Sequence, residues 1–292
     1  MTDYTLYKEL YLKCFLEDTP EDAEMLFKTV LSKALLLAEY DNGKPIAMLY
    51  LMDSDLVSQK KVYPFYYLYA ACTDPKYRGQ GIMQRLLEKA KKEAVKNGKL
   101  GIFLKPANPP LFDFYKKTDF LPFFNVLKTS MSAKDLKKLA KELNISLKNS
   151  TFKISMGQWQ EKRKLILNSV SDLYADFNGD LFTAATDGCK CVCFNSESGV
   201  VYEKREDTLL IKEALCLPDK QDEIISLCLN LLEEISLSGE KVNYIELRLP
   251  VSLDCETLKP LGLQKSAFSV LWQNGELPKE KFNSAYHGFA FD

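Results

Sequence analysis

The chain has 292 residues, 46% hydrophobic and 27% charged, proportions that exclude a disordered protein and suit two domains. Its 39 Lys and Arg balance 40 Asp and Glu to a net charge of −1, so no global basic field marks a dedicated nucleic-acid binder. The apolar runs, such as 34–38 and 65–72, fall short of the about 20 residues a membrane span needs. Residues 1–10 carry no signal pattern, so a cytoplasmic protein without membrane or nucleic-acid partners is expected.

Residues 4–31 show helical spacing, broken near Thr19, Pro20 and Glu21. Thr19 suits an N-cap, with Pro20 at the first helical position and the acids Glu21 and Asp22 in the first turn. Strand-like runs at 34–40 and 45–52 flank Asp41-Asn42-Gly43-Lys44, a hairpin signal. An aromatic strand at 64–73 leads into a polar, glycine-bearing turn at 74–81. A helix follows, with Ile82, Met83, Leu86, Leu87, Ala90, Ala94 and Val95 on one face and Gly98 as its stop. A strand at 100–105, a short helix at 112–118 and a strand at 120–128 complete a mixed α/β unit. Residues 131–150 read as a linker helix, opened by the capping pair Ser132 and Asp135.

The second half runs in a similar order. A helix is expected at 158–173, strands at 189–195, 199–203 and 208–215, a helix at 222–236, and strands at 242–249 and 267–272. This reads as a structural repeat, yet its strand-to-helix junction, residues 216–221, contains no glycine. Eight cysteines lack paired CxxC spacing. Cys189, Cys191 and Cys193 alternate on one strand face, where small apolar packing is the plainer reading than a thiolate cluster, and no metal is expected. With His287 the only histidine, clusters of His ligands are excluded, and a Ser-His-Asp arrangement would have to use it.

The chemistry concentrates in residues 66–120. Lys76-Tyr77-Arg78-Gly79-Gln80-Gly81-Ile82 follows a strand and opens an amphipathic helix. Two glycines permit close approach of a ligand, and the free N–H groups of a helix start attract anions. It is neither a Walker A loop nor a GxGxxG fingerprint. Further on, Asn108 precedes Tyr115 by seven residues, inside Phe114-Tyr115-Lys116-Lys117-Thr118-Asp119-Phe120.

Together these two landmarks resemble the GNAT superfamily of N-acyltransferases, whose motif A is Gln/Arg-x-x-Gly-x-Gly/Ala and whose later landmark is an Asn followed by a Tyr. Lys76 stands where Gln or Arg is usual, and Asp119 where Gly is usual. The resemblance covers residues 1–130 in element order. It implies an α/β (α+β) fold: a GNAT-like mixed central sheet flanked by helices, catalytic over 1–130, with a second, degenerate GNAT-like domain over 151–292. It implies acetyl transfer from acetyl-CoA, as co-substrate, to an amine of a small molecule or peptide. Main-chain groups of Ala71, Cys72 and Thr73 would meet the pantetheine, and the amides of Arg78, Gly79, Gln80, Gly81, Ile82 and Met83 the pyrophosphate. Asn108 would lie near the thiol, and Tyr115 would protonate the leaving thiolate.

Plainer readings stand beside these. Tyr115 can be a core-edge residue, Asn108 a helix cap, and Cys72 is packing rather than a nucleophile. No general base is legible, because the strand at 65–72 has no carboxylate. Asp53 and Asp55 can line the acceptor site or be loop acids, and Asp292 can approach the acceptor amine, where some two-domain relatives place their C-terminal carboxylate, or pack with the tail on the second domain. The rival functions are a non-catalytic CoA-binding regulatory module and an aminoacyl-tRNA-dependent transferase.

Overall fold

The computed structural model describes residues 4–59, 61–147, 151–177, 179–194, 197–275 and 282–289. Asp292 lies outside them. The first half forms α1 (Thr5–Cys14), α2 (Pro20–Thr29), β1 (Leu35–Asp41), β2 (Lys44–Ser58), β3 (Lys61–Thr73), α3 (Ile82–Lys96), β4 (Gly101–Leu104), α4 (Pro110–Lys116) and β5 (Leu121–Ser132). The helix α5 (Ala133–Glu142) connects to β6 (Phe152–Ile154), α6 (Met156–Val170), β7 (Tyr174–Phe177), α7 (Gly179–Ala185), β8 (Lys190–Phe194), β9 (Ser198–Arg205), β10 (Thr208–Cys216), α8 (Gln221–Leu237), β11 (Tyr244–Pro250) and β12 (Gln264–Gln273).

Local chemistry accounts for most boundaries. Thr19 accepts from the Asp22 amide while the Asp22 carboxylate accepts from Thr19 N, so both orphan donors at the start of α2 are satisfied. Asn42 and Gly43 have φ of 47° and 76°, the paired positive values of a two-residue hairpin turn. Ser132 caps α5 as the sequence predicts. β6, β7 and α7 were not legible. β2 runs well past the predicted 45–52, because its second half pairs with β3 and also with β7.

The strands form one mixed sheet in the order β1-β2-β3-β4-β12-β5-β11-β10-β9-β8-β6, with β7 on β2. The halves interleave at its centre. β12, from the end of the chain, lies between β4 and β5, and β5 in turn pairs with β11. On one face α3 covers β1 to β4, burying Ile82, Leu86, Leu87, Ala90 and Ala94 against Leu49, Leu68 and Ile102. Each fully buried Leu there contributes about 1.5–3 kcal/mol. Val95, predicted on this face, is 48% exposed, because the apolar stripe narrows toward the helix end. On the opposite face α1, α2, α6 and α7 share a second core with residues 285–289.

Candidate active site

β3 and β4 pair in parallel only at Tyr66 with Ile102 and Tyr67 with Phe103. β3 continues to Thr73 without that partner, so its edge from Leu68 onward opens a wedge beside β4. A bulge sharpens the parting. Tyr69 lies opposite Tyr50 and Cys72 opposite Met48, which leaves Ala70 and Ala71 facing Leu49 alone. Ala70 takes φ 51°, a left-handed value that costs a non-glycine residue about 1–2 kcal/mol. No glycine signals this bulge in the sequence.

At the open end of the wedge lies the glycine turn. Gly79 and Gly81 have φ of 79° and 69°, which explains both glycines. Gly81 is the N-cap of α3; it offers no side chain to the free amides, and the first turn carries no acid. The Arg78 guanidinium folds back to Thr73 O at 3.1 Å, and the Arg85 guanidinium to Gln80 O at 3.1 Å. Ile82 is buried and anchors the helix start, while Ala71 and Met83 are half-buried beside it. An uncapped, acid-free helix N-terminus under two positive-φ glycines fits an anionic phosphate group.

The junction at α8 differs. Its first turn holds Asp222 and Glu223, and buried Glu223 accepts from the Ser198 hydroxyl. Its own carboxylates occupy the electrostatic role that α3 leaves open.

On the same face as α3, Tyr115 is 7% exposed and joins the cluster containing Ile82, Ala71 and Met83. Its carbonyl accepts from Thr118 N at 3.0 Å, Thr118 Oγ1 at 2.9 Å and Phe120 N at 3.2 Å, which fixes the end of α4. That turn needs a positive φ, and Asp119 supplies 61°. Asp119 also pairs with Lys91 at 3.2 Å, so Asp in place of the usual Gly is accommodated. Burial pushes the Tyr115 phenol above its ordinary pKa, so it stays protonated near neutral pH. Asn108 is exposed and does not cap α4 through its side chain; its main-chain carbonyl accepts from Leu111 N at 3.1 Å.

Cys72 is buried. Its thiol is pushed well up, first by the hydrogen-bonded Cys14 thiol and then by burial, which suits packing and not nucleophilic attack. Cys14 is lowered to about 7, first by Cys72, and its thiol donates to Thr73 O at 3.5 Å. Asp53 and Asp55 belong to β2, not to a loop. Asp53 faces Tyr66 across the sheet, behind the wedge apex, and pairs with Lys99, so neither acid lines the wedge.

In the second half, Cys189 falls outside β8, and Cys191 and Cys193 are buried with thiols raised by desolvation. Among the described residues no group of three or more Cys, His, Asp or Glu is placed to hold a metal. His287 is fully buried among Tyr67, Phe103, Phe124, Phe177 and Phe268, with Nδ1 2.7 Å from Ser269 Oγ. Sequence reasoning also missed a hydrogen-bonded row on the face opposite Tyr115. Tyr69 of β3 meets Tyr11 of α1 at 3.2 Å, and Tyr11 Oη donates to Asp18 Oδ2. Its members lie far apart in sequence, and no spacing signals it.

Parted parallel strands beside an uncapped helix start thus form a wedge whose open end suits an anion. Residues 1–123 match the model of the GNAT acetyltransferase domain, and the similar solved structures share the fold over most of the chain. Similar solved structures include a probable N-acyltransferase from Enterococcus faecalis V583, at 14% identity over 94% of this chain and 71% of that one, with TM-score 0.72. A GCN5-related N-acetyltransferase from Kribbella flavida is 14% identical over 94% of this chain and 69% of that one, at TM-score 0.66. A tandem GNAT protein from the clavulanic acid biosynthesis pathway is 12% identical over 94% and 96%, at TM-score 0.58. No curated protein matches. Among the described residues no helix is long and apolar enough to cross a membrane.

Proposed function

We propose that the chain transfers an acetyl group from acetyl-CoA to an amine of a small molecule or peptide by direct attack. The observation that carries this reading is the wedge between β3 and β4, which opens beside the uncapped start of α3. In this reading residues 1–130 bind the co-substrate and catalyse, 131–150 link, and 151–292 form a degenerate copy that helps shape the acceptor cleft. Main-chain groups of Ala71, Cys72 and Thr73 hold the pantetheine arm, and the amides from Arg78 to Met83 hold the pyrophosphate. Asn108, with its amide uncommitted to α4, lies toward the thiol. A main-chain N–H of the bulged strand polarises the thioester carbonyl.

Tyr115 donates the proton that the departing thiolate takes up. A thiol of this kind has a pKa of about 8.5, and a positioned acid contributes about 10²–10⁴-fold. Tyr115→Phe keeps the ring and its contacts with Phe114 and Phe120. It is expected to lower kcat at least about tenfold with little change in acetyl-CoA affinity. Unchanged single-turnover acyl transfer would remove Tyr115 from this role.

One acetyl-CoA is expected to bind per chain, because the start of α8 is already occupied by acids. Calorimetry giving a stoichiometry near two would contradict that. The function itself is tested by the same calorimetry followed by an amine screen with thiol detection. Binding without turnover on any amine would replace this reading with that of a CoA-binding regulatory module.

A further inference from the structure

The end of α1 is seated on the end of β3, the strand whose open edge borders the wedge. Lys13 pairs with Asp74 at 3.3 Å, and the Cys14 thiol donates to Thr73 O at 3.5 Å. These contacts bring the Cys14 thiol onto that of Cys72, and the two are hydrogen-bonded. We propose that Cys14 and Cys72 are a peroxide-sensitive pair whose reversible disulfide weakens acetyl-CoA binding, a consequence that rests on the N-acyltransferase reading above.

The pair is built asymmetrically. Cys14, the last residue of α1, is half-buried and open to a small solute, whereas Cys72 is 6% exposed, inside the core under α1 and α2. Peroxide therefore meets Cys14 first. The thiolate is the reactive form. Cys14 is lowered to about 7, first by the Cys72 thiol, with burial opposing, and then by the Arg78 guanidinium, against the Asp74 carboxylate. Cys72 is raised, so it stays protonated and inert toward solutes. Against a sulfur already in contact it needs no diffusion, and such proximity raises its effective concentration far above that of a free thiol. One thiol reacts, and its buried neighbour resolves the product.

The chemistry closes in two steps. The Cys14 thiolate attacks one peroxide oxygen; an S–O bond forms, the O–O bond breaks, and the departing hydroxide takes up the proton that Cys14 had released, giving water. The Cys72 sulfur then attacks the sulfur of the Cys14 sulfenic acid. The S–S bond forms, the S–O bond breaks, and the Cys72 proton leaves with the oxygen as a second water. The thiols together lose two electrons, and the peroxide gains them. A small dithiol reverses the bond by thiol–disulfide exchange.

Closure reaches the wedge. An S–S bond is about 2 Å long, shorter than a hydrogen bond between two thiols, so forming it draws Cys72 and α1 together. Cys72 stands directly after the bulge, between Ala71 and Thr73. The Thr73 carbonyl that accepts from Cys14 also accepts from Arg78 Nε at 3.1 Å, so the pull extends into the glycine turn. The strand proposed to hold the pantetheine and the loop proposed to hold the pyrophosphate shift together.

The test uses the full chain, reduced with dithiothreitol, freed of it and treated with stoichiometric hydrogen peroxide. Peptide mass mapping without reductant is expected to find Cys14 joined to Cys72. The calorimetric Kd for acetyl-CoA is expected to rise at least about tenfold, because a displacement of about 1 Å can cost a site that much or more. Dithiothreitol should restore it. Cys14→Ser keeps a donor for Thr73 O; it should bind acetyl-CoA within about twofold of the reduced wild type and lose the response to peroxide. In Cys72→Ala the Cys14 sulfenic acid should accumulate and be captured by dimedone. A map without the Cys14–Cys72 link, or an unchanged Kd in the linked chain, would overturn the switch and leave the proposed function standing. A reduced chain that binds no acetyl-CoA would overturn that function instead, while the mass map still decides the pair.

Discussion

Glu213→Gln is expected to lower stability by about 3–5 kcal/mol, the cost of leaving a buried charge without its counter-ion. Glu213 is fully buried, and Arg163 is 2% exposed. Arg163 Nε donates to the two carboxylate oxygens at 3.0 and 3.1 Å, and Trp159 Nε1 donates at 3.1 Å. The same guanidinium reaches Ala175 O at 3.1 Å and His287 O at 3.5 Å, so it ties α6, β7, β10 and the segment 285–289 together. A Cβ on Gly288 would lie 2.5 Å from Arg163 Nη2 and 2.7 Å from Glu213 Oε1, which is why only glycine passes there. Urea unfolding should register the loss, and the thermal midpoint should fall by on the order of 10 °C. Replacing both partners, as Arg163→Met/Glu213→Leu, should recover most of it, since well-packed apolar substitutes for a buried pair are often neutral. A loss below about 1 kcal/mol in Glu213→Gln would show that the carboxylate carries little of the tie.

Gly81→Glu is expected to weaken acetyl-CoA binding at least about a hundredfold. A carboxylate about 5 Å from a phosphate repels it by about 3 kcal/mol at the effective dielectric of a protein surface, and every 1.4 kcal/mol is tenfold. The site makes the comparison clean. The Cβ at Gly81 meets only the ends of flexible side chains, Gln84 Oε1 at 3.3 Å and Arg85 Nη1 at 3.7 Å. The φ of 69° strains any L-residue, and Gly81→Ala carries that strain of about 1–2 kcal/mol without the charge. Calorimetry on both variants separates the two effects. If Gly81→Glu and Gly81→Ala bind equally well, the turn is structural and the anion site lies elsewhere.

Much of the candidate site was legible because its signals are local. The hairpin at Asn42-Gly43, the cap at Thr19, the positive φ at Gly79 and Gly81 and even at Asp119 follow from what short stretches of backbone demand of their residues. The strand-turn-helix unit and the Asn108–Tyr115 spacing carried the family resemblance, and the family match falls on that half. The glycine-free second junction also foretold a helix start of a different character, one filled by Asp222 and Glu223.

What only the tertiary structure decided depends on contacts between distant segments. The sequence orders β4 before β5, yet hydrogen bonding seats β12 between them, because strand order in a sheet is set by long-range pairing that no local period encodes. Ala70 reads as an ordinary strand residue; its positive φ arises because two residues of β3 must oppose one of β2. Tyr11, Asp18 and Tyr69 each look unremarkable in their own stretches. They become one row only when α1 docks on β3, which puts a carboxylate within two hydrogen bonds of a strand that has none. Residue types and turns are fixed by nearest neighbours along the chain; the wedge, and the side chains that meet on either face of it, are fixed by packing across the sheet.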